Sequence, residues 1–158
     1  MTKPVDVTLP NDTEIRVSRV FEAPRTLIYD CHTKPDLLRK WLLGPPGWTM
    51  PVCEVDLRVG GKYRHVWRSD ADGSEFAIGG VYQDIAAPER IVTLEHMEGM
   101  EGNALCSLTL AEKSGRTTLV QTMQFATKEA RDAAIATGMT DGMAMSYDRL
   151  ESVILEAA

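Results

Sequence analysis

Residues 75–97 have the sequence EFAIGGVYQDIAAPERIVTLEHM, and this stretch decides the fold of the chain. It contains two segments rich in β-branched and aromatic residues, 75–85 and 89–97, which are typical of strands. The link around Ala87-Pro88 is short. Strands joined by so short a link pair antiparallel, because a parallel connection needs a crossover of about a dozen residues or more. The stretch therefore predicts a hairpin within an antiparallel sheet.

Similar segments extend outward from this hairpin on both sides. Further strands are predicted at 48–57, 61–68, 104–112 and 116–125. Turn residues separate the segments, as at Val59-Gly60-Gly61, Asp72-Gly73 and Lys113 to Gly115. Earlier in the chain, TEIRVSRVF (13–21) alternates between Ile15, Val17, Arg19, Phe21 on one face and Glu14, Arg16, Ser18, Val20 on the other. The sequence thus predicts a seven-stranded antiparallel sheet.

The region before residue 48 predicts a polar arm and two short helices. Residues 1–12 are polar and contain proline, which favours a loose or edge-pairing arm. Pro24 and Pro35 each fit the first turn of a short helix, where proline is tolerated. The second helix stops at the Gly44-Pro45-Pro46-Gly47 segment.

Residues 127–158 predict two more helices. Thr127 suits the N-cap of a short helix at 128–137, and Gly138 favours a break after it. The long helix at 139–156 is amphipathic. Its apolar side comprises Met139, Met143, Ser146, Leu150, Val153 and Ile154, and its acidic side Asp141, Asp148, Glu151 and Glu156.

These elements predict one α+β domain over residues 1–158, because a chain of this length builds one ordinary core. One long helix covers one face of the sheet. A strongly curved sheet wraps such a helix and leaves a wedge-shaped apolar space beside it. The sequence therefore predicts a groove there, since concave apolar space is where small molecules bind.

Charge and motif content exclude several functional classes. The chain carries 17 Lys and Arg against 23 Asp and Glu, a net charge of -6. An acidic chain without a basic run is not expected to bind nucleic acid or an anionic membrane. There is no run of about 18 apolar residues that would span a bilayer, and the polar N-terminus does not resemble a signal peptide. A cytoplasmic location is therefore expected.

No cofactor is expected either. Three widely spaced cysteines, Cys31, Cys53 and Cys106, predict free buried thiols in a reducing compartment. None of the close spacings of a zinc site occurs among His32, His65, His96, Cys53 and Cys106. The chain has no G-x-S-x-G nucleophile motif and no phosphate-binding loop.

Six segments in order resemble helix-grip proteins of the START-like superfamily. They are RVFEAPR (19–25), Lys40-Trp41, VDLRVGGKYR (55–64), Asp72-Gly73, GVYQDI with PERIV (80–85 and 88–92), and GRTTL with SYDRL (115–119 and 146–150). The similarity runs from about residue 14 to residue 156. More narrowly, it resembles the family named after the activator of the heat-shock-protein-90 ATPase.

The resemblance implies a helix-grip fold, as in START-like and birch-pollen-allergen-like proteins. That fold is a curved antiparallel sheet wrapped on a long C-terminal helix, with two short helices after the first strand. The superfamily includes lipid and polyketide binders, cyclases, stress co-chaperones and resistance proteins, so the resemblance implies no single activity. A small hydrophobic molecule is the partner it implies first. A chaperone partner and a homodimer are further implications.

Alternation places the candidate cavity residues on the inner face of two strands. Tyr63, His65 and Trp67 share one face of their strand, and Phe76, Ile78, Gly80 and Tyr82 share one face of the next. This face is either a packed core or a cavity wall with one titratable group. His65 is either a buried histidine satisfied by a neighbour or a ligand partner and general base. Gly80 marks either a bend in the sheet or room for a ligand.

Methionines and tryptophans supply the remaining candidates. Met123, Met139 and Met143 form either a deformable cavity lining or ordinary core filler. Trp41 and Trp48 flank the Gly44 to Gly47 loop, and they either border the cavity mouth or pin the short helices to the sheet. The predicted cavity residues are Trp41, Trp48, Tyr63, His65, Trp67, Phe76, Ile78, Tyr82, Met123, Met139, Met143 and Leu150.

Three functional hypotheses follow. The first is a binding module that holds a small apolar or amphipathic molecule between sheet and helix. The second is a cyclase- or hydrolase-like enzyme with His65 as base, which requires His65 to face the cavity beside a carboxylate or hydroxyl. The third is a protein-interaction module such as a co-chaperone, which predicts an exposed apolar patch and no cavity.

Overall fold

The computed structural model describes residues 5–157, so the first four residues of the predicted arm lie outside the described residues. The strands are β1 (Asp6–Thr8), β2 (Glu14–Phe21), β3 (Trp48–Val55), β4 (Lys62–Ser69), β5 (Glu75–Ala86), β6 (Arg90–Met97), β7 (Ala104–Lys113) and β8 (Arg116–Gln124). The helices are α1 (Arg25–Thr33), α2 (Pro35–Trp41), α3 (Lys128–Ala136) and α4 (Met139–Ala157). The α+β class and the helix-grip architecture are thereby confirmed.

The strands form one antiparallel sheet in the order β1-β2-β8-β7-β6-β5-β4-β3. The described part of the sheet has eight strands, so the predicted count of seven is wrong by one. The additional strand is β1, which pairs with the edge of β2 through Val7 and Val17. Three residues are too few to show alternation in a sequence, and they lie within the segment expected to be a loose or edge-pairing arm.

Strand β2 pairs with β8 along its whole length, from Glu14 opposite Gln124 to Phe21 opposite Thr117. This pairing joins the first long strand to the end of the meander and places α1 and α2 near the C-terminal helix. The register shifts in β3 between Thr49 and Val52, and in β5 between Tyr82 and Asp84. Such irregularities bend and twist strands, which gives the sheet its curvature.

The helix boundaries follow the sequence signals. The Thr127 hydroxyl accepts a hydrogen bond from the Ala130 N–H at 3.0 Å, which confirms the N-cap of α3. Gly138 separates α3 from α4 with a φ of +81°, a conformation that side-chain-bearing residues avoid. The helix α4 lies on the inner face of the sheet, with Ser146, Leu150 and Ile154 buried as predicted.

One end of the space between sheet and α4 is solidly filled. We call it the packed end, and its fully buried side chains include Phe21, Ile28, Leu119 and Leu150. The buried Arg19 of β2 reaches α4 there, with Nη1 2.9 Å from an Asp148 oxygen and Nη2 3.1 Å from a Glu151 oxygen. Asp148 and Glu151 therefore form ion pairs with the sheet, so the predicted acidic side of α4 does not face solvent alone. A long arginine can reach the flank of a helix, which helical spacing alone does not reveal.

Cys31, Cys53 and Cys106 are free and buried, as predicted. Burial raises the pKa of the Cys31 thiol to about 11, so this sulfur stays protonated and unreactive near neutral pH.

None of the helices within residues 5–157 is long and apolar enough to cross a bilayer.

Candidate ligand-binding cavity

A cavity of about 310 Å³ lies between the inner face of β4 to β8 and the first half of α4. Its floor comes from the alternating inward residues of these five strands. Met139, Met143, Ser146 and Tyr147 of α4 form part of its wall. The short helices and the loop after them contribute His32, Leu38, Trp41 and Leu42. The space beside the helix is therefore only partly filled by side chains.

Nine of the twelve predicted cavity residues line this space. They are Trp41, Tyr63, His65, Trp67, Ile78, Tyr82, Met123, Met139 and Met143. The structure brings them together from β4, β5, β8, α2 and α4. Whether they bind a ligand stays a prediction.

The other three, Trp48, Phe76 and Leu150, lie outside the cavity wall. Phe76 stacks on Trp67 with ring centroids 5.0 Å apart, and Trp48 meets the edge of Phe76 at 5.3 Å. These two rings cover the far side of Trp67, and Phe76 is 39% exposed. Leu150 is fully buried in the packed end, two helical turns beyond Met143. The residues share the predicted face, but the cavity ends before it reaches them.

Gly80 has a role that neither sequence interpretation described. A Cβ at this position would lie 2.5 Å from the Tyr63 hydroxyl oxygen and 2.6 Å from the ring carbon that bears it. The glycine therefore leaves room for the Tyr63 ring rather than for a ligand. The ring crosses β5 through that room, and its hydroxyl reaches β6.

Tyr63 ends in a polar cluster inside the cavity. Its hydroxyl donates a hydrogen bond to the Glu95 carboxylate at 2.6 Å and lies 3.4 Å from the Thr93 hydroxyl. Burial, followed by the nearby Glu95 charge, raises the pKa of Tyr63. Burial also raises the pKa of Glu95, although the hydrogen bond from Tyr63 opposes this effect. The cluster is a desolvated carboxyl group held in place by a neutral phenol.

Two residues of this cluster, Glu95 and Thr93, were not predicted from the sequence to line the cavity. The signal was present, because Ile91, Thr93 and Glu95 alternate and share one face of β6. The polar run at the end of that strand concealed it, since a glutamate near a strand end is expected in solvent.

His65 lies beside this cluster with an unused ring nitrogen. It is 9% exposed, and its ring centroid is 5.3 Å from that of Tyr63. Its Nε2 atom is buried and has no hydrogen-bond partner within residues 5–157. Burial lowers the pKa of His65 to about 4, so the ring is neutral at pH 7. The interpretation of His65 as a histidine satisfied by a neighbour therefore does not hold for Nε2.

His32 contributes a second neutral ring. Its Nδ1 atom is 2.8 Å from the Ile28 carbonyl oxygen. Because that oxygen can only accept, Nδ1 carries the proton, and Nε2 is left as an acceptor. Burial lowers the pKa of His32 to about 4 as well.

Trp41 both lines the cavity and fixes the short helices. Its Nε1–H donates to the Cys31 carbonyl at 2.8 Å, and its ring stacks on Tyr147 of α4 with centroids 5.9 Å apart. Trp41 therefore borders the cavity and also holds the short helices in place.

The loop that follows Trp41 is tied to α4. The Gly44 N–H donates to the Ser146 hydroxyl at 2.8 Å, and Arg149 donates to the Gly44 carbonyl at 2.5 Å. The loop therefore borders one side of the cavity.

The polar groups of this site suit recognition of a small molecule. Aromatic, aliphatic and methionine side chains dominate the wall, and the polar cluster occupies one region of it. A few fixed polar atoms in an apolar cavity orient a ligand by hydrogen bonding. Within the described chain, no group of three or more His, Cys, Asp or Glu side chains is arranged to hold a metal ion.

Known proteins that are similar to this chain include a family whose model matches most of its sequence. The family model described as "Activator of Hsp90 ATPase homolog 1-like protein" matches residues 22–154. A crystal structure of a Rhodobacter sphaeroides protein is 29% identical, with a TM-score of 0.91, and the match covers 99% of this chain and 100% of that one. A Chromobacterium violaceum protein is also 29% identical, with a TM-score of 0.80 over 91% of this chain and 98% of that one.

A protein from Mycobacterium smegmatis, at 24% identity, shares the fold with a TM-score of 0.84 over 96% of this chain and 97% of that one. None of the curated proteins matches the sequence. The family match and the fold are those of a ligand-binding or co-chaperone-like module.

Proposed function

This chain belongs to the family of proteins like the activator of the Hsp90 ATPase, and from that premise we propose that it binds a small apolar or amphipathic molecule. The molecule occupies the cavity between the sheet and α4. The single observation that supports this proposal is the unfilled space of about 310 Å³ beside a buried polar cluster. A concave, mostly apolar space with a few convergent polar groups is the usual form of a small-molecule site.

The size of the cavity limits the affinity that apolar contact alone can give. A ligand that buries on the order of 300 Å² of apolar surface gains about 7 kcal/mol from burial. Lost translational and rotational freedom offsets several kcal/mol of that gain. Micromolar binding, about 8 kcal/mol, therefore requires hydrogen bonds from the polar cluster as well. The Tyr63–Glu95 pair and His65 supply groups of that kind.

The direct test is native mass spectrometry of protein purified gently from its own host. We expect a mass above that of the chain, and the excess identifies the ligand by its molecular weight. A second measurement uses uptake of the neutral dye N-phenyl-naphthylamine, whose fluorescence rises in apolar surroundings.

A matched pair of variants ties the uptake to the cavity. Met143→Trp fills the space, whereas Met145→Trp adds the same side chain to an exposed position two residues along α4. We expect the first variant to abolish dye uptake and the second to retain it. Equal uptake by both variants, with both folded, overturns the proposal.

Catalysis in the same cavity is the second candidate, and the free Nε2 of His65 beside the Tyr63 hydroxyl favours it. A histidine with a pKa of about 4 is a weak base at neutral pH, because effective general bases have pKa values near the working pH. This property favours binding over turnover. Conversion of a co-purified ligand by wild-type protein but not by His65→Gln would establish the enzyme instead.

A protein-interaction module fits the site less well. A protein-interaction module was predicted to have no cavity, whereas a cavity of about 310 Å³ lies next to α4. The cavity therefore favours a small-molecule partner.

A further inference from the structure

The described residues of the cavity wall include a negatively charged side chain and no Lys or Arg. Among the cavity-lining residues within 5–157, Glu95 is the only Asp or Glu. The two histidines of the wall, His32 and His65, are neutral at pH 7 because burial lowers the pKa of each to about 4. The wall therefore carries one negative group and no fixed positive group.

Within residues 5–157, the Tyr63 hydroxyl and the neighbouring His96 both lower the pKa of Glu95, whereas burial, the larger effect, raises it. The hydrogen bond to Glu95 comes from the neutral Tyr63 hydroxyl at 2.6 Å, which uses one oxygen, Oε2. A carboxylate has about four acceptor positions, so most of its capacity remains for other donors. Glu95 is half-buried, and a carboxylate that has lost part of its hydration is stabilised by a bound cation.

The neighbouring groups suit the same kind of ligand. The rings of Tyr63 and Tyr82 line the wall with centroids 5.3 Å apart, and aromatic faces attract alkylammonium groups. The buried Nε2 of His65 has no hydrogen-bond partner in the described part of the chain, residues 5–157. In the tautomer with the proton on Nδ1, Nε2 can accept a hydrogen bond from a ligand N–H.

We infer that the ligand is a hydrophobic amine, whose ammonium group binds Glu95 while its apolar body contacts Met139 and Met143. This inference rests on the proposed function and narrows it to one chemical class. Carboxylates such as fatty acids are disfavoured, because they would place a second negative charge beside Glu95 in a site of low polarity.

Three probes that differ only in the head group test the inference: n-octylamine, n-octanol and octanoate. Isothermal titration calorimetry at pH 7 gives the affinity of each for the wild-type protein. We expect the amine to bind roughly ten- to a hundredfold more tightly than the alcohol, in line with a charge-assisted hydrogen bond. Octanoate is expected to bind more weakly than either.

Two variants separate the local effect of Glu95 from the overall charge. Glu95→Gln keeps the shape and a hydrogen-bond acceptor, and it is expected to reduce the preference for amine over alcohol to less than about threefold. Glu101→Gln removes the same charge from an exposed position outside the cavity. It is expected to preserve the preference, since screening weakens distant charges.

The outcomes distinguish this inference from the proposed function. Octanol binding with equal or weaker octylamine binding overturns the amine preference and leaves a ligand-binding module. A preference that survives Glu95→Gln, or that disappears in Glu101→Gln, also overturns it. If none of the three probes binds and Met143→Trp changes nothing in dye uptake, the proposed function fails together with the inference. Circular dichroism and thermal melting check that each variant is folded.

Discussion

The two ends of the space under α4 differ in what fills them. The packed end holds fully buried aliphatic and aromatic side chains, and Arg19 ties the sheet to Asp148 and Glu151 of the helix. The cavity lies under the first half of the same helix and is bordered by half-buried Met139 and Met143. One helix thus has an anchored half and a half that lies over open space.

This difference shows how stability and binding can share one helix. Buried apolar contacts and the partly exposed ion pairs of Arg19 with Asp148 and Glu151 hold α4 at the packed end. The cavity end can then leave polar atoms such as His65 Nε2 without partners, because the fold does not depend on filling that space. Natural proteins place such local departures from good packing at functional sites.

The largest expected effect comes from truncating a side chain in the packed end. Leu150→Ala is expected to lower the free energy of unfolding by about 3 kcal/mol, because it leaves a void in a fully packed core. Met143→Ala, which borders existing space on the same helix, is expected to lower it by about 1 kcal/mol. Urea unfolding of both variants measures the contrast. Equal losses would mean that the two ends are packed alike.

Acid sensitivity is the second prediction, and it concerns the cavity. His65 has an ordinary pKa of 6.5 and a pKa of about 4 in the folded protein. The unfolded chain therefore binds the proton first, and His65 makes stability fall as pH decreases from 6.5 to 4. The loss reaches about 3 kcal/mol at pH 4. The raised pKa of Glu95 acts in the opposite direction, since the folded protein protonates that group first.

Comparison with His65→Phe isolates the contribution of the histidine. Denaturant unfolding across this pH range should show a shallower decline for the variant, with the two curves converging toward pH 7 apart from a constant offset. Parallel curves throughout the range would show that His65 does not titrate differently in the folded protein.

The third prediction concerns the room that Gly80 leaves for Tyr63. Gly80→Ala is expected to lower stability by about 2 kcal/mol, because the new Cβ lies 2.5 Å from the Tyr63 hydroxyl. It should also weaken ligand binding, since displacing the ring removes the hydrogen bond to Glu95. A double-mutant cycle with Tyr63→Ala provides the control. If Gly80→Ala is equally harmful without the tyrosine ring, the cause is the backbone and not Tyr63.

The smallest expected effect is stabilising. Gly142 lies inside α4 over the cavity end, and a Cβ there would only touch Pro45 at 3.8 Å. Gly142→Ala is therefore expected to raise the free energy of unfolding by about 0.5–1 kcal/mol, through higher helix propensity and a less flexible unfolded chain. Thermal melting measures the change. A lower melting temperature would show that the glycine is needed for how α4 meets the loop.

Local structure, and the face of each element on which a residue lies, could be predicted from the amino-acid sequence. Alternation and turn residues predicted the strands from 48 to 124, and Thr127 and Gly138 predicted the ends of the last two helices. These signals are strong because backbone conformation and side-chain periodicity act over a few neighbouring residues. The inward direction of Tyr63, His65 and Trp67 follows from the same periodicity.

Which inward faces meet, and where space remains between them, depends on how the whole chain folds. The fold places Leu150 in the packed end and Met143 at the cavity, although both lie on the apolar side of one helix. The fold also places Glu95 within hydrogen-bond distance of the Tyr63 hydroxyl. The Tyr63 ring crosses β5 at Gly80, whose role the sequence did not determine. A cavity is a small difference between the space that curved elements enclose and the side-chain volume that fills it. Strand pairing, bulges and helix docking set that difference over the whole sheet, so no short stretch of sequence contains it.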